Sequence, residues 1–327
     1  MSGRIFAWLL ITVLLITFSS AWAQQTKKVP RIGFLSGVSS SSMSTRFEAF
    51  RQGLRELGYV EGKNIHIENR WAEGKLDRLS KLASELVRLK VDVIVTTGPA
   101  PTRSAKKATA TIPIVMTQDD DPVGNGFAAS LARPGGNITG LATLAPEISG
   151  KQLELLKEIV PKLLRVGVLG DVTRLGNPQA LREVNFAADT VGVQIQYLEV
   201  RGPKDIETAF RAASKERAEA VLVLGSSILL SQRRQVADLA VKGGLPTMYG
   251  RPEYVEDGGL VFYGASYTDL SRRAATFVDK ILKGRAPADL PVEQPKTFEF
   301  IVNLKAAKQI GLTIPPNVLA RADRVIR

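Results

Sequence analysis

Arg165-Val166-Gly167-Val168-Leu169-Gly170 decides the fold, because it repeats in kind Arg31-Ile32-Gly33-Phe34-Leu35-Ser36. Each is a short apolar run with a polar loop behind it, the pattern of a strand buried on both faces. The chain then continues alike in both places. After Ser36 comes a Ser-rich loop, then Phe47, Phe50, Leu54 and Leu57 at helical spacing, stopped by Gly58. After Gly170 comes a polar loop, then a helix from about Pro178 to Gly192. Residues 65–71 and 193–200 read as second strands. Asp77 and Asp205 then read as helix caps, the first ahead of Leu79, Leu82, Leu86 and Leu89 on one face. Residues 91–97 and 220–225 are third strands. Gly58 and Gly192 stand 134 residues apart, Asp77 and Asp205 128, a difference of one loop length. This is an internal repeat at the scale of a domain.

Each repeat is a β-α-β-α-β series, which calls for a parallel sheet with helices on both faces. The fold class is therefore α/β, with two doubly wound parallel-sheet lobes. Residues 112–117 and 138–142 add strands to the first. The C-terminal third offers strands at 247–250, 260–263 and 298–303, a helix at about 269–283 and a last helix. This tail is expected to complete both lobes through a three-crossing hinge, near 143–149, 251–257 and 290–296. Lobe 1 is then 24–145 plus about 257–292, and lobe 2 is 146–256 plus about 293–327.

The first 23 residues have the parts of a cleavable export signal: Arg4, an apolar run from Ile5 to Phe18, and the small-x-small site Ala21-Trp22-Ala23. No later segment has the roughly 18 consecutive apolar residues of a membrane helix. The 327 residues include no cysteine, which removes disulfides, thiolate metal sites and a lipid-modified cysteine after the signal. A freely diffusing protein of a bacterial periplasm is the expectation. The net charge of +12 is scattered and mixed with acids, not gathered into a basic, aromatic-interleaved stripe, so nucleic-acid binding is not expected.

In doubly wound sheets, ligands sit beyond the carboxyl ends of the strands. That rule selects the loops after each strand. Ser36, Gly37 and Ser39 offer hydroxyls and N–H groups to an anion, or simply a capped loop. Thr97, Gly98, Pro99 and Ala100 open a helix and do the same. Asp119 and Asp120, with Asp121, form the densest acid cluster, suited to an ammonium group, to a helix start or, less well in spacing, to a divalent cation. Asp171 is expected to face that cluster from lobe 2, and Ser226 and Ser227 lie on the loop after the third strand of that lobe. Tyr249, Arg251, Glu253 and Tyr263 make a polar-aromatic set in which Arg251 can fork onto a carboxylate. The single histidine, His66, lies in a polar strand, and no nucleophile–base pair or metal set is legible. No catalysis, cofactor or metal is expected.

Several stretches carry a shared signature: Arg31 to Ser36, Phe50-Arg51-Gln52-Gly53-Leu54-Arg55-Glu56-Leu57-Gly58-Tyr59, Ile112-Pro113-Ile114-Val115 and Asp121-Pro122-Val123-Gly124. Leu245-Pro246-Thr247-Met248-Tyr249-Gly250 and Gly258-Gly259-Leu260 add to them. The most specific is Arg133-Pro134-Gly135-Gly136-Asn137-Ile138-Thr139-Gly140. In these stretches the chain resembles the substrate-binding proteins of bacterial ABC importers, in the subfamily with tryptophan- and tyrosine-binding members. The resemblance implies a type I periplasmic-binding fold, a small-molecule ligand such as an amino acid or related carboxylate, and capture by hinge closure. It implies an inner-membrane permease and its ATPase as partners of a monomer. A ligand-presenting sensory protein would use the same cleft. Gln118-Asp119-Asp120 and Tyr249-Gly250-Arg251-Pro252-Glu253-Tyr254 depart from the family pattern at the expected cleft, and leave the ligand open.

Overall fold

The computed structural model describes residues 29–172, 174 and 176–327, so the export-signal stretch lies outside the described residues. The first sheet has the order β2-β1-β3-β4-β5, all parallel, from β1 (Arg31–Ser36), β2 (His66–Trp71), β3 (Val93–Thr97), β4 (Ile114–Gln118) and β5 (Ile138–Gly140). Alternation along each strand sends Ile32, Phe34, Val93 and Val95 to one core and Leu35, Ile94, Ile114 and Met116 to the other. Helix α1 (Ser40–Glu56) begins at Ser39, whose hydroxyl accepts the Ser42 N–H at 3.3 Å. It ends at Gly58, which adopts φ 87°, while the Tyr59 N–H bonds back to the Leu54 carbonyl at 2.9 Å. Helix α2 (Leu79–Arg88) and helix α3 (Pro99–Ala108) cover the other face.

The second sheet has the order β12-β11-β10-β9-β8-β6-β7. It starts with helix α4 (Ser149–Ile159), then β6 (Arg165–Asp171), α5 (Asn177–Val191), β7 (Gln194–Val200), α6 (Asp205–Lys215) and β8 (Ala220–Val223). Next come α7 (Ser227–Ser231), α8 (Arg233–Lys242), β9 (Thr247–Tyr249), α9 (Pro252–Glu256) and β10 (Val261–Ala265). Helix α10 (Tyr267–Leu282) leaves this lobe and packs along α1. The chain returns as β11 (Phe298–Asn303), α11 (Leu304–Gln309), α12 (Pro316–Leu319) and β12 (Arg324–Ile326). Among the described residues only the β10–β11 pair is antiparallel.

Two expectations need correction. The second crossing is not at 251–257, where α9 sits within lobe 2. It comes after Ala265, because β10 pairs in parallel with β9 through Val261 and Met248, and with β11 on its other side. A buried strand with partners on both edges cannot leave its sheet. The first and third crossings run side by side: the Ala142 N–H bonds to the Glu293 carbonyl, and the Glu293 N–H to the Gly140 carbonyl, each at 2.9 Å. The two aspartate caps also differ. Asp77 lies inside a 3₁₀ turn (Leu76–Arg78) that runs straight into α2, so backbone carbonyls serve where a side-chain cap was expected. Asp205 is the first residue of α6, and its carboxylate accepts the Arg201 and Gly202 N–H groups at 2.8 and 2.9 Å, fastening the loop ahead of the helix. Helices α4, α7, α8 and α9 and strand β12 had no sequence expectation.

Candidate functional site

The carboxyl ends of the two sheets face one another, and a cavity of about 60 Å³ lies between them. That is room for about two waters. Lobe 1 contributes Pro99, at the start of α3, and Asp120, on the loop after β4. Lobe 2 contributes Arg174 from the loop after β6, Gly225, Ser226 and Ser227 ahead of and into α7, and Gly250 and Arg251 after β9. The first crossing and α4 supply Ala145, Ser149 and Gln152, and α10 supplies Tyr267. Val223, Leu224 and Leu230 make the apolar part of the wall.

Arg174 lies in the wall of this space. Its guanidinium pairs with Asp120 across the lobe boundary, and Asp120 also accepts the Thr143 hydroxyl at 3.0 Å. Both side chains are mostly buried, at 19% and 13% exposure, so the pair is little screened by water. Burial pulls the Arg174 guanidinium below its ordinary value, with the Asp119 charge opposing; it remains a cation. The closed cleft is thus filled by its own opposite charges.

Next to Asp120 in sequence, Asp119 is 1% exposed and does not line the cavity. One carboxylate oxygen accepts the Asp121 N–H at 3.0 Å and the Asn125 amide at 2.9 Å, and the other makes no hydrogen bond among the described residues. Burial pushes the acid up to about 6, against the lowering effect of those two bonds.

A second charged group adjoins the cavity. Glu253 accepts from Arg251 at 2.8 Å and from Arg46 of α1 at 2.9 Å. Both guanidinium groups lie over the Tyr267 ring, Arg251 at 4.2 Å and Arg46 at 4.7 Å. Burial opposes the Glu253 charge, but Arg251 and Arg46 outweigh it and hold the carboxyl well below the usual range. Burial likewise opposes the Arg251 charge, and Glu253 and Tyr267 outweigh it.

Of the residues expected at the site, Pro99, Asp120, Ser226, Ser227 and Arg251 line the cavity. Others support it from behind. Thr97 donates to Ser36 at 3.0 Å, tying β3 to β1. Ser39 caps α1, the Gly37 carbonyl accepts the Gly74 N–H, and the Gly98 carbonyl accepts the Thr102 hydroxyl. Ala100 packs toward the lobe 1 core. Asp171 is buried and accepts the Ser226 hydroxyl at 2.8 Å, so it positions the α7 start. Ser226 in turn caps α7 through the Ile228 and Leu229 N–H groups.

Two tyrosines belong to cores. Tyr249 is fully buried and stacked on Tyr254 at 4.6 Å, because the alternation of β9 turns it away from the cleft. Tyr263 stacks on Phe298 at 6.0 Å and packs against the lobe 2 core; only its carbonyl reaches toward the site, accepting from Gln152 at 2.7 Å. Glu253 is held by two arginines and is not in the cavity wall. Sequence reasoning missed Arg46, Ser149, Gln152 and Tyr267. A polar Ser149 and Gln152 one helical turn apart, just after a lobe crossing, were the available signal. Among the described residues no group of three His, Cys, Asp or Glu is placed to hold a metal ion.

The fold agrees with what known proteins show. Residues 31–326 match the family model described as ABC transporter substrate binding protein, and the chain belongs to that family. It is similar to a tyrosine-binding protein of Clostridioides difficile, 25% identical over 287 residues, 88% of this chain and 82% of that one. Among solved structures, it is similar to an ABC domain from Streptococcus pneumoniae in complex with L-Trp (TM-score 0.81, 26% identity, 91% and 99% of the two chains). A conserved domain protein from Vibrio cholerae gives TM-score 0.81 at 28% identity, over 91% and 100%. The architecture is the two-lobed type I periplasmic-binding fold.

Proposed function

We propose that the chain captures a zwitterionic amino acid between its lobes and delivers it to an ABC permease. The single observation that carries this reading is the Arg174–Asp120 pair, one charge from each lobe, meeting in the cavity. A ligand bearing both a carboxylate and an ammonium group can replace each partner for the other. Arg174 would then fork onto the carboxylate and Asp120 would receive the ammonium. The ligand would staple the lobes as the direct contact does now. The Arg174–Asp120 contact ties the two lobes across the cavity, so entry of a ligand between the two charges requires the lobes to part. The apolar wall at Leu224 and Leu230 would take the side chain. The relatives named for tyrosine and L-Trp support an amino acid as the ligand class.

Binding proteins of ABC transporters typically act outside the cytoplasm. The export-like start and the lack of cysteine support an unanchored periplasmic protein, acting as a monomer beside its permease and ATPase. The reading is of a binding protein and not an enzyme: Arg174 pairs with Asp120 and Arg251 with Glu253, and the Ser226 hydroxyl that donates to Asp171 is also the cap of α7.

Thermal unfolding tests the reading. At least one L-amino acid should raise the melting temperature in a concentration-dependent way, by about 2.7 kcal/mol of added stability at a hundredfold excess over Kd. The matching amine without the carboxylate, and the matching acid without the amine, should give far smaller shifts. Equal shifts for all three would remove the zwitterion from the reading.

A further inference from the structure

Four side chains meet at the lobe boundary beside the cavity, and they sort by lobe in an informative way. Arg46 lies in α1 of lobe 1. Arg251 precedes α9 and Glu253 lies in its first turn, in lobe 2. Tyr267 begins α10 at the crossing, but its ring packs in the lobe 2 core and its hydroxyl donates to the Gly250 carbonyl at 3.5 Å. Within lobe 2, Arg251 bonds to Glu253 and lies over the Tyr267 ring at 4.2 Å. Two contacts reach across from lobe 1, both made by Arg46: to Glu253 at 2.9 Å, and over the Tyr267 ring at 4.7 Å.

This partition makes a two-state contact. When the lobes part, Glu253 keeps Arg251 as its partner and Arg46 returns to water, so no buried charge is stranded, which is the circumstance that makes breaking a buried pair costly. When they close, the two Arg46 contacts are added. The Arg46 and Glu253 side chains are only 10% and 15% exposed, so the added pair acts in a poorly screened place. Neither residue lines the cavity, whereas Arg251 and Tyr267 do. Arg46 and Glu253 therefore reach the ligand site only through those two.

We propose that Arg46 and Glu253 are positioning residues for capture: their pairing sets the balance of open and closed forms and holds Arg251 against Tyr267 in the cavity wall. The consequence for affinity rests on the capture reading above; the open–closed balance is a property of the unliganded chain and does not. Because apparent affinity scales with the fraction of protein in the competent form, weakening the pair should weaken binding without removing a ligand contact.

The chain has no cysteine, so a labelled pair can be introduced cleanly. Lys75→Cys and Lys204→Cys place one label on an exposed cleft-side loop of each lobe, after β2 and after β7. The inter-lobe distance is read by energy transfer without any ligand. Glu253→Gln and Arg46→Gln, made in different lobes, should each shift the distribution toward the open form, and the double variant should add little to either. Glu253→Asp should recover part of the closed form. With whichever amino acid raises the melting temperature, each Gln variant should lose about tenfold in apparent affinity, chiefly through faster dissociation. Unchanged distance distributions in both variants overturn the proposal, even if affinity falls, since Glu253 would then act on the ligand or on folding alone. Should Glu253→Gln fail to fold, Arg46→Gln decides alone by the same measure. Should no amino acid bind, the distance readout still decides this proposal, separately from the capture reading.

Discussion

Gly140→Ala should cost about 3–5 kcal/mol of stability, read from chemical unfolding. Gly140 ends β5 with φ 135°, a backbone conformation that L side chains rarely adopt. A Cβ built there meets the main chain of β4: it stands 2.6 Å from the Met116 nitrogen and nearer still to the Met116 carbonyl oxygen. Neither atom can rotate away, because both belong to the sheet, and the Leu141 N–H bonds to that same carbonyl at 2.9 Å. Relief would require β4 and β5 to separate where the chain leaves lobe 1, at the crossing held by Glu293. Gly136→Ala, four residues earlier in the same motif, is the control: nothing lies within 4 Å of its added Cβ, and the change should cost under about 1 kcal/mol. Equal effects at the two positions would show that β5 is free to move.

The second large effect is on binding. Arg174→Gln and Asp120→Asn should each weaken capture of an amino acid by about 10- to 150-fold, the loss of roughly 1.5–3 kcal/mol for a hydrogen bond to a charged group. The two variants should differ in what they still recognise. Arg174→Gln should spare whatever weak binding the matching amine shows, and Asp120→Asn that of the matching deaminated acid. Calorimetric titration of the three compounds on the two variants reads this directly. Arg174→Gln also leaves Asp120 mostly buried, with the Thr143 hydroxyl still donating to it but its cationic partner gone, so the closed form of that variant should be rarer without ligand. A loss confined to one variant would mean that the ligand carries only one of the two charges.

The two-lobed plan was legible because the repeat from Arg31 and from Arg165 speaks through period and apolar runs, which burial on both faces enforces. The second crossing was not legible, since Val261-Phe262 reads the same in either sheet; pairing with β9 and β11 decides it, and pairing is long-range. At the site, the strand-end rule found Asp120, Ser226 and Arg251, and it pointed to the loop that carries Arg174 without singling that residue out. It failed for Tyr249 and Tyr263, because loop proximity says nothing about which face of a strand a ring takes, and both rings fill cores. Arg46 was invisible for a different reason. It looks like one more surface charge on an amphipathic helix until α10 and α9 close over it, leaving it 9% exposed. Tyr267 was missed along with the misplaced crossing, since it starts the helix that makes the crossing.

The most direct measurement is a crystal structure of the protein with the amino acid that most raises its melting temperature. The expected result is a ligand in the inter-lobe cavity with its carboxylate on Arg174, its ammonium on Asp120, and the direct Arg174–Asp120 contact broken. A ligand bound elsewhere, with that contact intact, would contradict the capture reading.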